Sequence, residues 1–498
     1  LGGIGKSALA IAVADVYAGK AGHPAYAEVS SARTPDDLVG LVCRGLEIDE
    51  TPYSIDALVR SRPAGILVVD DADDIPECAE VLQEIVRRCP ELRLLVTSRA
   101  PLGIRGEVLV RLTPLPTAEP SERSLTEVVF RVAAERARPG ISLTNGETVR
   151  SLCAMSDGIP LVTQGLAARL RTSTPERVLE HATRPGALAG ILGPPWGSPR
   201  QRTFGEVLGW SIAHVPDSVL AVLHLHIFAG GPLTPSFVQA VFPDAPIDDD
   251  LDALQRLGLL EGPDDRGRFR VLTPVAEVGW SRLGPLGREV AAAFVAAACD
   301  LVAPSLAAAR SNPVGDVIDD ECAIRRAAWV AVDLQDTRRA TILVVALTRH
   351  WQMSDQVAEG QALTEAAMAL PLDDADRAAA ALVAGQLAGL IQSPDAERLL
   401  RAGLDNVAGT RWDGTRLVVN GWCHLGAWHI YFGTLDEARA CAVRAAEVAG
   451  EVVTLRELAV DFRGFVAARQ EDYEEAVACA LESLELLRSP RRGERLPG

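Results

Sequence analysis

The chain has 498 residues, of which 48% are hydrophobic, and its formal net charge is −18. At about 100–200 residues per domain this length suits three or four domains, and the hydrophobic share argues against wholesale disorder. The negative charge argues against a broad DNA-binding surface and favours other partners. No uncharged apolar run reaches the roughly 20 residues of a membrane-spanning helix. Nine scattered cysteines indicate a reduced, cytoplasmic protein and make a metal site unexpected.

The chain opens with "LGGIGKSALA", which contains the second half of a phosphate-binding loop, G-x-x-x-x-G-K-[ST]. The first glycine of that pattern would precede Leu1, so we expect the strand leading into the loop to be missing. A helix should follow, and its first amides together with the loop amides would bind phosphate. Lys6 would reach the β- and γ-phosphates, and Ser7 would offer its hydroxyl to Mg²⁺. The predicted nucleotide-binding residues here are Gly2, Gly3, Ile4, Gly5, Lys6, Ser7 and Ala8. The alternative is a glycine-rich surface turn before a helix.

The segment "AGILVVDDADD" combines an uninterrupted apolar run with an acidic end. Such a run predicts a strand that is buried on both faces of a parallel sheet. Ligands of these sheets bind at the carboxyl ends of the strands, where Asp70 would lie. Asp70 is therefore the predicted Mg²⁺ ligand, and Asp71 the residue that orients or activates a water. The alternative is that both aspartates merely begin the next loop.

A third buried strand is predicted in "ELRLLVTSRA", which also ends in polar residues. Arg99 would then lie at the same edge of the sheet and contact the γ-phosphate. The alternative is an ordinary surface arginine. The order of loop, acidic strand and arginine-ended strand is more specific than any one of the three.

Together these motifs resemble the signal-transduction ATPases with numerous domains (STAND proteins), particularly the NB-ARC type. The matching segments are "LGGIGKSALA", "ILVVDDADD", "LLVTSRAPLGIRGE" and "SDGIPLVTQGLAARL". The resemblance implies a multidomain chain that binds ATP or ADP with Mg²⁺. It implies an α/β P-loop NTPase core with a parallel sheet over residues 1–117 and a helical lid over 118–190. It further implies that Pro160 packs near the adenine.

Residues 201–285 resemble the winged-helix domain that follows the lid in this group. Between residues 205 and 285 there are 11 acidic residues and 5 arginines, which favours a packing and switching domain over a DNA-reading one. Many members carry a Met-His-Asp triplet here, whose histidine contacts the β-phosphate of ADP. Leu272 and Thr273 stand in place of the His and Asp, which puts a direct phosphate contact from this domain in doubt.

Residues 290–490 are rich in Ala, Leu and Arg and predict an α-solenoid of tetratricopeptide-like repeats. Two windows align at one constant offset, which pairs Gly426 with Gly464, Glu437 with Glu475, and Ala438 with Ala476. Stacked helix pairs make a concave surface that suits a protein or peptide partner. The alternative is a helical bundle without repeats.

The resemblance is closest to bacterial transcriptional regulators of the LuxR-like and SARP-like kinds. It implies a switch that ADP keeps closed, with ATP favouring an open, self-associating state and with slow Mg²⁺-dependent hydrolysis. DNA would be bound only through a domain absent from this segment, and no membrane partner is expected. The alternatives are an interaction scaffold with a degenerate nucleotide site and a stand-alone ATPase.

Overall fold

The structure is a computed structural model that describes most of residues 2–488. The residues outside the description are 1, 22–23, 30–31, 33, 50–52, 73–74, 76, 99–100, 118–123, 185–186, 189–202, 213–214, 281–283, 310–313, 315–318, 355 and 489–498. Arg99, the predicted γ-phosphate contact, is therefore outside the described residues.

The described chain is mostly helical and carries five short strands. In the first part of the chain the elements are α1 (Lys6–Ala21), β1 (Ala25–Glu28), α2 (Pro35–Gly45), α3 (Ile55–Ser61), β2 (Gly65–Asp70), α4 (Cys78–Arg88), β3 (Leu92–Val96), α5 (Leu125–Ala137), α6 (Gly146–Met155), α7 (Pro160–Ala168) and α8 (Pro175–Ala182). Next come α9 (Phe204–Ile212), α10 (Asp217–Ala229), α11 (Pro235–Val241), α12 (Ile247–Arg256), β4 (Leu260–Glu261), β5 (Arg270–Val271) and α13 (Thr273–Trp280). The remaining helices are α14 (Gly284–Ala307), α15 (Glu321–Asp333), α16 (Thr337–Met353), α17 (Val357–Met368), α18 (Asp374–Leu390), α19 (Ala396–Val407), α20 (Arg416–Phe432), α21 (Leu435–Ala449), α22 (Val453–Arg469) and α23 (Tyr473–Arg488).

The chain divides into two compact units. The first consists of Leu1–Leu223, Asp248–Gly262 and Val271–Arg282. The second consists of His224–Ile247, Pro263–Arg270 and Leu283–Gly498. The segment predicted as a winged helix, 201–285, thus contributes residues to both units.

The first unit contains a parallel three-stranded sheet in the order β1-β2-β3, which confirms the predicted parallel sheet. Its central strand is covered on both faces, as the uninterrupted apolar run predicted. Leu67 and Val69 belong to a core formed with α2 and α4, whereas Val68 packs with Ala10 and Ala14 of α1. Because the strands are parallel, the polar residues after β2 and β3 meet at one edge of the sheet.

Helices α5–α8 follow the sheet in the first unit, and three of them begin at a residue whose side chain caps the helix. Ser124, Asn145 and Thr174 accept hydrogen bonds from backbone amides in the first turns of α5, α6 and α8. The core of this segment includes Phe130 of α5 and Leu166 of α7, which are both fully buried. The capping residues are of the types that favour helix starts, so local sequence fixes these boundaries.

Helices α18–α23 in the second unit pack as successive pairs, α18 on α19, α20 on α21 and α22 on α23. The offset that aligns Gly426 with Gly464 in the sequence also relates the packing of the last two pairs. A Cβ on Gly426 would lie 3.0 Å from Cys441 Cβ, and one on Gly464 would lie 2.9 Å from Cys479 Cβ. Glycine at both positions lets the two helices of a pair approach closely, because any larger residue would meet the facing cysteine.

The caps of the second helices repeat with the same offset. Thr434 caps α21 by accepting from the Glu437 amide at 3.2 Å, and Asp472 precedes α23 and accepts from the Glu475 amide at 3.0 Å. Glu437 also accepts from the Thr434 amide and completes a capping box. The aligned glutamates therefore occupy equivalent third positions of two equivalent helices.

One helix, Leu286–Ala307, is long and apolar enough by length and composition to cross a membrane. Half of its most apolar window is buried inside the protein. Phe294 is fully buried, and its ring centroid lies 5.9 Å from that of Phe237 in an edge-to-face contact. The segment also contains the charged residues Arg288, Glu289 and Asp300. These features are those of a core helix of the second unit.

We expect Gly360→Ala to lower the melting temperature of the protein, and Gly389→Ala to leave it unchanged or slightly raised. A Cβ on Gly360 would lie 2.6 Å from the ring of Trp351, which is fully buried. Overpacking of this kind costs about 1–3 kcal/mol. Gly389 is also helical, but a Cβ there meets nothing within 4 Å. Thermal unfolding of both variants checks this, and equal melting temperatures would contradict the packing at Trp351.

Candidate nucleotide-binding site

The predicted glycine loop, residues 2–5, leads directly into the 16-residue helix α1. Gly3 and Gly5 adopt φ values of +79° and +98°, which are strained for any residue with a side chain. The Leu9 amide donates to the Gly5 carbonyl at 2.9 Å, so Gly5 is the residue directly before the helix, the N-cap. Lys6 and Ser7 are the first two helical residues. Both therefore lie at a helix start, the kind of position where anions bind.

The other predicted residues of the loop region lie at its surface. Gly2 and Ile4 are half-buried, as are Lys6 and Ser7, and Ala8 is exposed. Helix α1 packs on β2 through Ala10 and Ala14. This packing places the helix that carries Lys6 and Ser7 against the strand that ends in Asp70.

The start of α7 contacts the glycine loop and includes Pro160. The Leu161 amide donates to the Gly3 carbonyl at 3.1 Å. A Cβ on Gly3 would lie 2.9 Å from Leu161 Cβ, and one on Gly5 would lie 3.9 Å from Pro160 Cγ. The structure thus brings Pro160 beside the loop, although the two segments are far apart in the sequence.

Asp70 ends β2, and its side chain is held by two hydroxyl groups. The Tyr26 hydroxyl donates to Asp70 Oδ2 at 2.7 Å, and the Thr97 hydroxyl donates to Oδ1. Asp70 is only 7% exposed. Among the residues that the structure describes, no cationic side chain pairs with this carboxylate. Both of its described donors are therefore neutral hydroxyl groups.

Asp71 directly follows in a left-handed conformation, with φ at +62°. The Asp71 amide donates to the Thr97 hydroxyl at 2.9 Å, and the Ala72 amide donates to the Thr97 carbonyl at 3.0 Å. The Thr97 amide in turn donates to the Val69 carbonyl at 2.9 Å. Thr97 thus fixes the backbone on which both aspartates are placed, and the unusual φ turns Asp71 away from the strand direction.

Burial raises the pKa of the Tyr26 hydroxyl above its ordinary value, and the hydrogen bond to Asp70 raises it further. The physical reason is that a phenolate beside a carboxylate would place two like charges together in a partly desolvated site. Tyr26 therefore remains a protonated hydrogen-bond donor at neutral pH.

The segment before Pro160 makes a second long-range contact in the first unit. Asp157 has a φ of +44°, and its Oδ2 accepts from the Thr273 amide at 2.5 Å. Because α13 begins at Thr273, this carboxylate caps the helix from a distant part of the chain. Leu272, which replaces the histidine that the resemblance implied, is buried in the core. Asp157, Leu161, Tyr26 and Thr97 were not predicted as site residues, because each makes its contact with a residue distant in the sequence.

A glycine loop at a helix start, beside a parallel sheet with an acidic strand end, is the arrangement typical of phosphate-loop nucleotide-binding proteins. No family model matches the chain. A predicted HTH-type transcriptional regulator of Mycobacterium tuberculosis, Rv0890c, is 27% identical over 306 residues, which cover 57% of this chain and 33% of that protein. The uncharacterized protein Rv0894 of the same species is 28% identical over 310 residues, which cover 57% of this chain and 75% of that protein.

The similar proteins confirm the resemblance to bacterial transcriptional regulators. The chain spans about a third of the length of the first relative, so that protein's activity as a whole is not transferred here. A STAND protein with a tetratricopeptide repeat sensor, PH0952 from Pyrococcus horikoshii, is 14% identical with a TM-score of 0.35. The match covers 98% of this chain and 73% of that chain.

We expect Asp157→Ala to destabilise the first unit, whereas Asp157→Asn should be close to the unmodified protein. Alanine removes the acceptor that caps α13, at a cost of about 0.5–2 kcal/mol. Asparagine keeps an acceptor oxygen and tolerates the left-handed conformation. Melting temperatures of the two variants check this. Equal values for Ala and Asn would show that the cap contributes nothing.

Proposed function

We propose that the chain is the ATP- and ADP-binding switch segment of a bacterial transcriptional regulator. The observation that carries this proposal is the glycine loop at the start of α1, joined to Pro160 and Leu161. The backbone amides of the loop and the helix start would bind the phosphates, with Lys6 as a point charge on the β- and γ-phosphates. Pro160, which lies beside Gly5, would then pack near the adenine of the same nucleotide.

The residues present fit Mg²⁺ as the companion ion. A magnesium ion prefers hard oxygen ligands, and it is held by a few protein groups together with substrate phosphates. The Ser7 hydroxyl and the Asp70 carboxylate are such ligands, and Asp70 is buried without a cationic partner among the described residues. When bound, Mg²⁺ would neutralise charge on the phosphate oxygens. Asp71 would orient the attacking water, and Arg99 remains the predicted γ-phosphate contact.

The switch requires that ATP and ADP favour different states of the chain, and the γ-phosphate is the group by which they differ. The contact between the glycine loop and α7 supports such coupling, since a shift of the loop would act directly on the helical segment α5–α8. We assign ADP to a closed state, and ATP to an open state that self-associates. Slow hydrolysis of ATP would return the chain to the closed state.

The helical repeats are proposed to bind a protein or peptide partner that signals to the switch. Their support is the equivalent packing of α20–α21 and α22–α23, in which Gly426 and Gly464 occupy matching positions, as is typical of stacked repeats with a concave surface. DNA contact is assigned to a domain outside these 498 residues, in keeping with the net charge of −18. We assign the protein to the cytoplasm.

We expect the purified protein to release about one nucleotide per chain on denaturation, and a Lys6→Ala variant to release far less. A charge-assisted hydrogen bond is worth about 1.5–3 kcal/mol, which corresponds to roughly 10- to 150-fold in nucleotide affinity. Lys20→Ala is the matched control, because Lys20 is the only other lysine of the chain and lies at the far end of the same helix. The released nucleotide is identified by chromatography.

Binding of added ADP and of ATP with Mg²⁺, measured by calorimetry, completes the test. Equal affinity in the Lys6→Ala and Lys20→Ala variants would contradict the assigned phosphate site. An unmodified protein that neither contains nor takes up nucleotide would leave the repeats as an interaction scaffold and would disprove the switch.

A further inference from the structure

The hydroxyl groups of Tyr26 and Thr97, which donate hydrogen bonds to the Asp70 carboxylate, have no assigned role in nucleotide binding. We propose that Tyr26 is a positioning residue, whose hydroxyl acts together with that of Thr97 to hold the Asp70 carboxylate in the orientation that receives Mg²⁺. This inference rests on the proposed function, because it concerns the same nucleotide site.

The sheet holds both donors in place. Tyr26 lies on β1 and Thr97 directly follows β3, so the two hydroxyls approach Asp70 from the strands on either side of β2. The parallel register pairs Glu28 with Asp70 and Val69 with Val96. Strand pairing therefore fixes the backbone from which both side chains extend. Each oxygen of the carboxylate accepts one hydrogen bond.

The number of donors leaves the carboxylate able to bind a cation. An ionised carboxylate has about four lone-pair sites, and the two hydroxyls occupy two of them. Neither hydroxyl carries a charge, so these two donors do not compensate the charge of an ionised carboxylate, as a salt bridge to arginine or lysine would. The Asp70 carboxylate is 7% exposed. Hydrogen bonds from neutral donors fix its orientation without cancelling the charge that attracts a metal ion.

A purely structural role for the Tyr26 hydroxyl makes a different prediction. The bond from β1 to Asp70 would then only strengthen the sheet, and its loss would lower stability without changing the response to Mg²⁺. A third possible role is competition, in which the Tyr26 hydroxyl occupies the position on Asp70 that Mg²⁺ needs. Removal of the hydroxyl would then strengthen Mg²⁺ binding. These three roles differ in the Mg²⁺ midpoint, which is the free Mg²⁺ concentration that produces half of the full increase in nucleotide affinity.

The test is Tyr26→Phe, which keeps the ring and removes only the hydroxyl. ADP affinity is measured by calorimetry in EDTA and over a series of free Mg²⁺ concentrations. Loss of a partner that orients a metal ligand typically costs about 10- to 100-fold in metal affinity. We therefore expect the Mg²⁺ midpoint of Tyr26→Phe to rise by about 10-fold or more, with ADP affinity in EDTA unchanged. Tyr53→Phe is the matched control, since Tyr53 is an exposed tyrosine of the same unit and makes no bond to Asp70.

A second pair of variants tests the same idea from β3 and does not depend on the folding of Tyr26→Phe. Thr97→Val removes the hydroxyl at nearly constant shape, and Thr97→Ser keeps it. We expect a raised Mg²⁺ midpoint for valine and a midpoint near that of the unmodified protein for serine. The Thr97 hydroxyl also accepts from the Asp71 amide, so the Ser variant shows only that the hydroxyl is needed. Tyr26→Phe leaves that bond intact and assigns the effect to the contact with Asp70.

The outcomes are distinct. An unchanged Mg²⁺ midpoint in both Tyr26→Phe and Thr97→Val, with only a lower melting temperature, would overturn the positioning role in favour of a structural one. A lower midpoint would overturn it in favour of competition. If the unmodified protein binds no ADP at all, the proposed function fails, and the positioning role fails with it. Nucleotide binding that persists with unchanged midpoints overturns the positioning role alone.

Discussion

The candidate site depends on the parallel pairing of β2 with its two neighbours. Parallel strands place their carboxyl ends at one edge, which is why Asp70 and Thr97 can meet although they follow from different strands. Tyr26 lies within the neighbouring strand β1, opposite Val68, and its long side chain reaches Asp70. The central strand must also be buried on both faces, and α1, α2 and α4 supply that cover. The helix that carries Lys6 and Ser7 is thus held against β2 by the same packing that buries the sheet.

A second constraint joins the glycine loop to the helical segment of the first unit. The left-handed conformation of Gly3 leaves its carbonyl to the Leu161 amide, and a side chain at Gly3 would collide with Leu161. Shortly before Leu161 in the chain, Asp157 caps α13. One short segment therefore contacts both the loop and α13.

The helix pairs at the end of the second unit pack in a simpler way. Small residues recur at the crossing points of helix pairs, where Gly426 faces Cys441 and Gly464 faces Cys479. Close approach at these points gives each pair its packing, and side-chain caps such as Thr434 and Asp472 set where the second helices begin. The same local arrangement thus recurs in the last two helix pairs.

The amino-acid sequence by itself determined the features that local chemistry controls. The glycine loop before α1, the buried apolar strand that ends in Asp70, the caps of the helices and the repeated Gly and Glu-Ala positions of the last helix pairs all follow from residue types in a local pattern. Tertiary structure alone decided which distant groups meet: Tyr26 and Thr97 on Asp70, Leu161 on Gly3, and Asp157 on Thr273. A tyrosine, a threonine or an aspartate carries no local signal of a partner 27 to 116 residues away. Strand order and helix packing choose those partners, because they fix the distances between segments that the sequence leaves free.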